Sequence, residues 1–270
     1  MLSRFNDNRR KADHLKLGML TAFSAGMVNV ASVVLFFAFT SNITGHYAVL
    51  AEEVSKGNWY QFAVVLFWIL LFLCGGFLSN QFIIHARKDQ HSISHAIPLL
   101  LEVACLVGVG LYGILAYNET LLETEMLVAV LVFAMGLQNG LTASISNFAV
   151  KTTHLTGLTT DLAIHLSMLT KARWRARPEV RDRTVLLASI AGAYVAGGIV
   201  AGSITHWFQF KVFFTIALVL LFILAYDLAR YSIRQEGRQP AAGNADKAGP
   251  RIPSFSMLSP ARESASAGPN

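Results

Sequence analysis

The chain has 270 residues, of which 54% are hydrophobic and only 14% charged, and carries a formal net charge of +6. Several apolar runs reach the ~20 residues needed to cross a bilayer core, which argues against a soluble globular domain and for a polytopic helical membrane protein. The basic excess sits between and beside those runs, so it reads as a topology signal and not as a footprint for nucleic acid.

Residues 1–16 contain Arg4, Arg9, Arg10, Lys11 and Lys16. The apolar segment that follows is too long for a signal-peptide core and lacks a small-residue cleavage site, so a retained cytoplasmic tail is expected. Spans are predicted over 17–39, 61–84, 96–117, 126–150, 184–206 and 210–230. Cys74 and Cys105 both fall inside spans, where a thiol acts as a small apolar group and no disulfide framework is implied. With six spans and both termini cytoplasmic, 20 of the 22 Lys and Arg residues lie inside, against Lys56 and Lys211 outside. The basic segment from Lys171 to Arg177 is expected to fix orientation and meet anionic lipid headgroups, each charge contributing about 1 kcal/mol there. From about residue 235 the composition turns to Ala, Gly, Pro, Ser and Arg, which predicts a disordered cytoplasmic tail over 235–270.

One unit is used twice. Gly26, Asn29 and Ser32 share the spacing of Gly136, Asn139 and Thr142, and each set is followed by a polar Thr-x-x-x-Thr-Gly stretch. The first stretch holds Thr40, Thr44 and Gly45; the second holds Thr152, Thr156 and Gly157, with His154 inside it. Gly75 and Gly76 then match Gly197 and Gly198. The expected domains are a first three-helix repeat over 17–120 and a second over 121–234. An odd number of spans per repeat makes the second copy enter from the opposite side, which relates the halves by a pseudo-two-fold axis in the membrane plane. The fold expected is all-α: a polytopic membrane protein of six transmembrane helices, arranged as two inverted repeats with polar helix breaks.

A backbone interrupted at membrane depth must satisfy its freed N–H and C=O groups. Thr40, Thr44, Thr152 and Thr156 can do so locally, and Gly45 and Gly157 can take conformations other residues avoid. Helices restarting after each glycine, at about Tyr47 and Leu158, would aim their positive ends at the repeat interface, suiting an anionic or carbonyl-bearing solute. The competing reading makes Asn29 and Asn139 interhelical packing groups and the Thr-Gly pairs mere punctuation.

The residues Phe133 to Asn139, then Val150 to Gly157 and Thr160-Asp161-Leu162, resemble the signature of the YoaK-like family of bacterial membrane proteins. Gly26 to Asn29 and Thr44-Gly45-His46 are similar to the N-terminal motif of that family. The resemblance covers about residues 15 to 230. It implies a bacterial six-helix protein of the cytoplasmic membrane, and because the family is one of unknown function it implies no substrate.

Asp161 has Val49 as its counterpart in the first half, and His165 follows it at i, i+4, so a proton-coupling pair competes with a plain amphipathic helix. Glu102 is an intramembrane carboxylate, either functional or close enough to the cytoplasmic end to reach headgroups. His91 and His95 have a metal-ligand spacing, but no acidic pair or cysteine completes a site beside them and His85, so no metal is expected. No phosphate-binding loop, His-Glu-x-x-His or Gly-x-Ser-x-Gly motif occurs, and no cofactor is expected. The leading functional reading is a channel, facilitator or secondary transporter for a small polar or anionic solute, with Asn29, Thr40, Thr44, Gly45, Asn139, Thr152, His154, Thr156, Gly157 and Asp161 as its ligand-binding set. The alternatives are a membrane-embedded enzyme acting on a lipid or isoprenoid through Asp161, His154 and His165, and a non-catalytic membrane partner. The bilayer is the expected partner, and assembly with further copies of the chain stays open.

Overall fold

A computed structural model describes residues 8–85, 91–145 and 155–236, and all regular structure among them is helical. The chain divides into residues 1–229 and 230–270. The first unit holds everything that follows, and residues 230–236 of the second complete the last helix. In order come α1 (Asn8–Phe36), α2 (Ile43–Lys56), α3 (Trp59–Ile84), α4 (His91–Leu115), α5 (Leu121–Ile145), α6 (Leu155–Leu169), the short α7 (Ala172–Arg175), α8 (Pro178–Phe208), a 3-10 turn (Gln209–Lys211) and α9 (Val212–Glu236).

Among the described residues, five segments are long and apolar enough to cross a membrane: Gly18–Phe36, Trp59–Ile84, Ala96–Leu115, Leu121–Ser144 and the 49-residue Pro178–Tyr226. The last of these contains α8, the 3-10 turn and most of α9, and it bends where Gln209 takes a left-handed φ of 45°. Leu73 and Phe77 on α3, Val195 and Ile199 on α8, and Leu218 and Phe222 on α9 are large, apolar and exposed. An exposed apolar surface of this extent is stable only against hydrocarbon or another apolar partner. Exposed Trp59 and Tyr60 open α3 and exposed Trp207 closes α8, positions suited to a headgroup-level aromatic anchor.

Close helix crossings set the packing. A Cβ on Gly26 would run into the carbonyl oxygen of Tyr194, and one on Gly197 into that of Phe23, so α1 and α8 touch backbone to backbone. The same holds for Gly136 against Phe72 and Gly75 against Phe133, which bring α5 onto α3. Small residues at a crossing let membrane helices approach and gain dispersion energy where no hydrophobic drive exists. The two crossings correspond residue for residue: one sequence offset separates Phe23 from Phe133 and Gly26 from Gly136, and another separates Phe72 from Tyr194 and Gly75 from Gly197. Around them, α9 supplies fully buried Phe213, Ile216 and Leu220, and Phe36, Tyr117 and Phe210 pack as a ring cluster, with Tyr117 and Phe210 centroids 5.1 Å apart.

Several expected boundaries move. The first helix ends at Phe36 and not near residue 39, because Phe37 turns left-handed with φ 56°. It also starts at Asn8, inside the stretch expected to be tail. The basic segment from Lys171 to Arg177 contains the short α7, and α8 begins at Pro178 and not near residue 184, the missing proline N–H costing nothing at a helix start. Residues 237–270, most of the expected tail, lie outside the described residues.

Candidate functional site

The first break begins with Asn29. Its side-chain oxygen accepts from the Thr40 N–H at 2.9 Å, the Thr40 hydroxyl at 3.2 Å and the Ser41 N–H at 3.3 Å. Its amide nitrogen donates to the phenol oxygen of Tyr194 at 2.8 Å. Ser32 donates its hydroxyl to the carbonyl of Ala38 at 2.9 Å, so groups freed by the end of α1 find partners on α1 itself. Asn29 is therefore both an interhelical bond and the anchor of the break, joining two roles that the sequence set against each other.

Helix α2 then starts at Ile43, four residues before the expected Tyr47, because Asn42 caps it: its side-chain oxygen accepts from the Gly45 N–H at 3.1 Å. Gly45 does not break the helix but lies in its first turn, where a Cβ would approach the Asn42 amide to 2.6 Å. The second half behaves alike: α6 starts at Leu155, not Leu158, which puts Gly157 in the matching first-turn place. Thr152 and His154 lie outside the described residues.

Both helix starts open on one cavity of about 680 Å³. Asn29, Ser41, Asn42, Thr44 and Tyr194 line it with Asn139 and Thr156, and Val33, Gly76, Gly136 and Ala143 are among its apolar walls. Four of the sequence-picked residues thus meet there, two from each half: Asn29 with Asn139, and Thr44 with Thr156. Thr40 is fully buried behind Asn29 and does not line the space. Gly45, Gly157 and the exposed Asp161 do not line it either, and neither does His165. The lining has hydrogen-bonding groups from amides, hydroxyls and one phenol, and no carboxylate, ammonium or guanidinium among the described residues.

Tyr194, Ser41 and Asn42 are the lining groups the sequence reading missed. Tyr194 stands where the matched position of the first half has Phe72, and a lone phenol inside an apolar span was the signal for it. His46 follows Gly45 where Leu158 follows Gly157, and both are buried. The His46 Nε2 lies 3.0 Å from the Phe39 carbonyl oxygen, its ring packs 5.5 Å from that of Trp68, and its Nδ1 has no partner among the described residues. Burial holds the imidazole below the usual histidine pKa, offset in part by the Phe39 carbonyl.

No group of three or more His, Cys, Asp or Glu that could hold a metal occurs among the described residues, and the side chains of His91 and His95 lie outside them. Comparison with curated proteins and with solved structures gives no match. The family described as "Protein of unknown function (DUF1275)" matches over residues 17–226, most of the chain, so the protein belongs to that family.

Proposed function

We propose that the protein is a facilitator or secondary transporter that passes a small polar solute through the cavity between its halves. The supporting observation is the pairing of lining residues: Asn29 with Asn139 and Thr44 with Thr156 come from matched positions in the two halves and face one space. In this reading the chain crosses the membrane six times, α8 and α9 being separate spans, as two inverted repeats over 17–120 and 121–234. The residue-for-residue match of the two glycine crossings supports this. Inverted repeats suit transport because each half can rock against the other around a site shared between them. The lining of amides and hydroxyls favours a neutral hydrogen-bonding solute, or an anion held by the starts of α2 and α6, over a cation.

The membrane is the bacterial cytoplasmic membrane with both termini inside, on the strength of the basic-residue distribution. The Arg177 guanidinium lies 4.5 Å over the Trp174 ring and Arg173 lies 5.9 Å from it, an amphipathic arrangement that suits anionic headgroups beside α7. The enzyme reading is weaker here because Asp161 and His165, two of its reacting groups, do not line the cavity.

The test is uptake of a panel of neutral and anionic small solutes into vesicles containing the pure protein, with Thr44→Val and Thr156→Val as probes. Each change keeps the side-chain shape and removes a hydroxyl, so passage of the active solute should fall by a factor of about 5–150, as loss of a ~1–3 kcal/mol hydrogen-bond partner implies. Wild-type uptake by both variants would leave the Thr-Gly stretches as helix punctuation.

A further inference from the structure

Glu102 is the most deeply sealed ionisable group of the described chain. It lies ~9 Å into the segment Ala96–Leu115, at 1.5 Å per residue, and is 0% exposed. Neither carboxyl oxygen has a hydrogen-bond partner among the described residues. Leu99 and Leu106, one turn away on either side, belong to the same buried core.

Among the described residues no cation is placed to compensate a charge there. The elements packed on α4 include α3, α5, the 3-10 turn and α9, whose Phe214 ring reaches Gly110; from Val212 to Tyr226 α9 carries no charged side chain, and Tyr226 brings no positive charge. His85 caps the C-terminal end of α3 and is exposed, its Nδ1 3.0 Å from the Gln81 carbonyl oxygen, and Cys74 is exposed. On α5, the Glu123 carboxylate is held by Tyr112, Asn118 and Thr120, and that of Glu125 by Tyr60 and Gln61. Tyr112 marks the level of that end, ~15 Å along α4 from Glu102. Lys211 belongs to the 3-10 turn, where Phe210 packs on Gly113 at the same end. On α4 itself the neighbouring titratable group is the Cys105 thiol, which brings no positive charge. An ionised carboxylate without partner or water in such a place is far costlier than the neutral acid, so the stable occupant is the protonated form.

Two more unpartnered buried atoms lie on the helices packed against α4. They are the Ser79 Oγ on α3 and the Gln138 Oε1 on α5, both on residues 0% exposed. Gln138 precedes cavity-lining Asn139, and Ser79 follows cavity-lining Gly76 by one turn. Unmet polar atoms on the two helices that pack against both the acid's helix and the cavity are poor packing but serviceable stations for transient water.

We propose that Glu102 is a membrane-embedded proton-binding site which exchanges its proton with water admitted from the cavity along the α3–α5 seam. The step is a simple transfer: the carboxyl O–H bond breaks, the proton passes to a water in the seam, and the carboxylate recovers it on closing. Use of this site to couple transport rests on the reading given above; proton binding does not, and its test needs no solute.

Infrared spectra of the full chain in lipid membranes at neutral pH decide the matter. Wild type should show the carbonyl stretch of a protonated acid, absent from Glu102→Gln and displaced in Glu102→Asp, the second variant serving if the first fails to fold. After transfer to heavy water that band should shift, more slowly than deuteration of exposed groups, because the acid reaches water only through opening. A wild-type spectrum with ionised carboxylates alone overturns the proposal, and so does an acid band that never shifts, which marks a sealed structural group. Either failure leaves the cavity and its solute reading intact, since the valine probes test those separately.

Discussion

Asn29 and Tyr194 meet side chain to side chain, the amide nitrogen donating to the phenol oxygen at 2.8 Å across the contact of α1 with α8. The same asparagine holds the Thr40 and Ser41 N–H groups with its oxygen. One residue thus links the packing of the two halves to the geometry of the first helix break.

Tyr194→Phe removes the bond to Asn29 and the phenol's interaction with Ser41 while leaving the backbone bonds of the break, and should lower stability by about 0.6–1.7 kcal/mol, the range for polar pairs between membrane helices. Asn29→Ala should cost more, because it also strands two buried backbone N–H groups at about 1–3 kcal/mol each. Thermal unfolding in detergent gives the ranking. Equal losses in the two variants would mean that the break is held by something other than Asn29.

The glycines at the crossings should tolerate no side chain. Gly26→Ala and Gly136→Ala each place a methyl group into a backbone carbonyl oxygen, which can be relieved only by parting two helices. Gly192→Ala is the control, since a Cβ there meets nothing within 4 Å and alanine favours a helix by about 1 kcal/mol. Size-exclusion profiles should show a folded peak for the control and aggregation or loss of protein for the other two. A normal profile for Gly26→Ala would contradict the close approach of α1 and α8.

The two glycine crossings and the break after α1 were legible in sequence because Gly26/Gly136, Asn29/Asn139 and Gly75/Gly197 repeat in order with their spacing kept; the centre of the second break lies outside the described residues. The helix starts were not read correctly. Gly45 reads as a breaker, while the stronger signal is Asn42, an N-cap residue immediately before Ile43. The part played by Tyr194 was hidden because its match, Phe72, is apolar and a span's sequence does not say which face meets the partner. The sealing of Glu102 was hidden for a related reason: distance along α4 suggested a route to headgroups, whereas burial is decided by rotation toward Leu99, Leu106 and the core.

Stability should depend on pH through His46. Its pKa is lowered in the folded protein, so the unfolded chain binds the extra proton more readily and stability rises with pH. The full contribution is present above the unfolded value of about 6.5 and is lost progressively as pH falls below it toward the lowered folded value. His46→Leu, which installs the residue of the matched Leu158 position, should flatten that stretch of the curve even though it forgoes the bond to the Phe39 carbonyl. The check is the midpoint of thermal unfolding measured from neutral to mildly acid pH. A mutant curve parallel to wild type would assign the acid sensitivity elsewhere.

The cavity itself can be tested by filling it. Val33 and Ala143 both line it and stand at matched positions, the same offset separating them as Asn29 from Asn139. Val33→Phe and Ala143→Phe each add bulk into about 680 Å³ of open space, so neither should meet the overpacking cost of roughly 1–3 kcal/mol that a filled core imposes. Folding and thermal stability should therefore stay close to wild type. Solute passage should fall severely in each, and the double variant should be little worse than either single one, because two plugs in one path do not multiply. If the space were only a packing defect beside a path elsewhere, both variants would keep wild-type uptake. If the halves formed two independent paths, each single variant would retain about half the activity and only the double one would lose it. Uptake by the two single variants and the double variant, compared at equal amounts of folded protein in vesicles, separates these three arrangements.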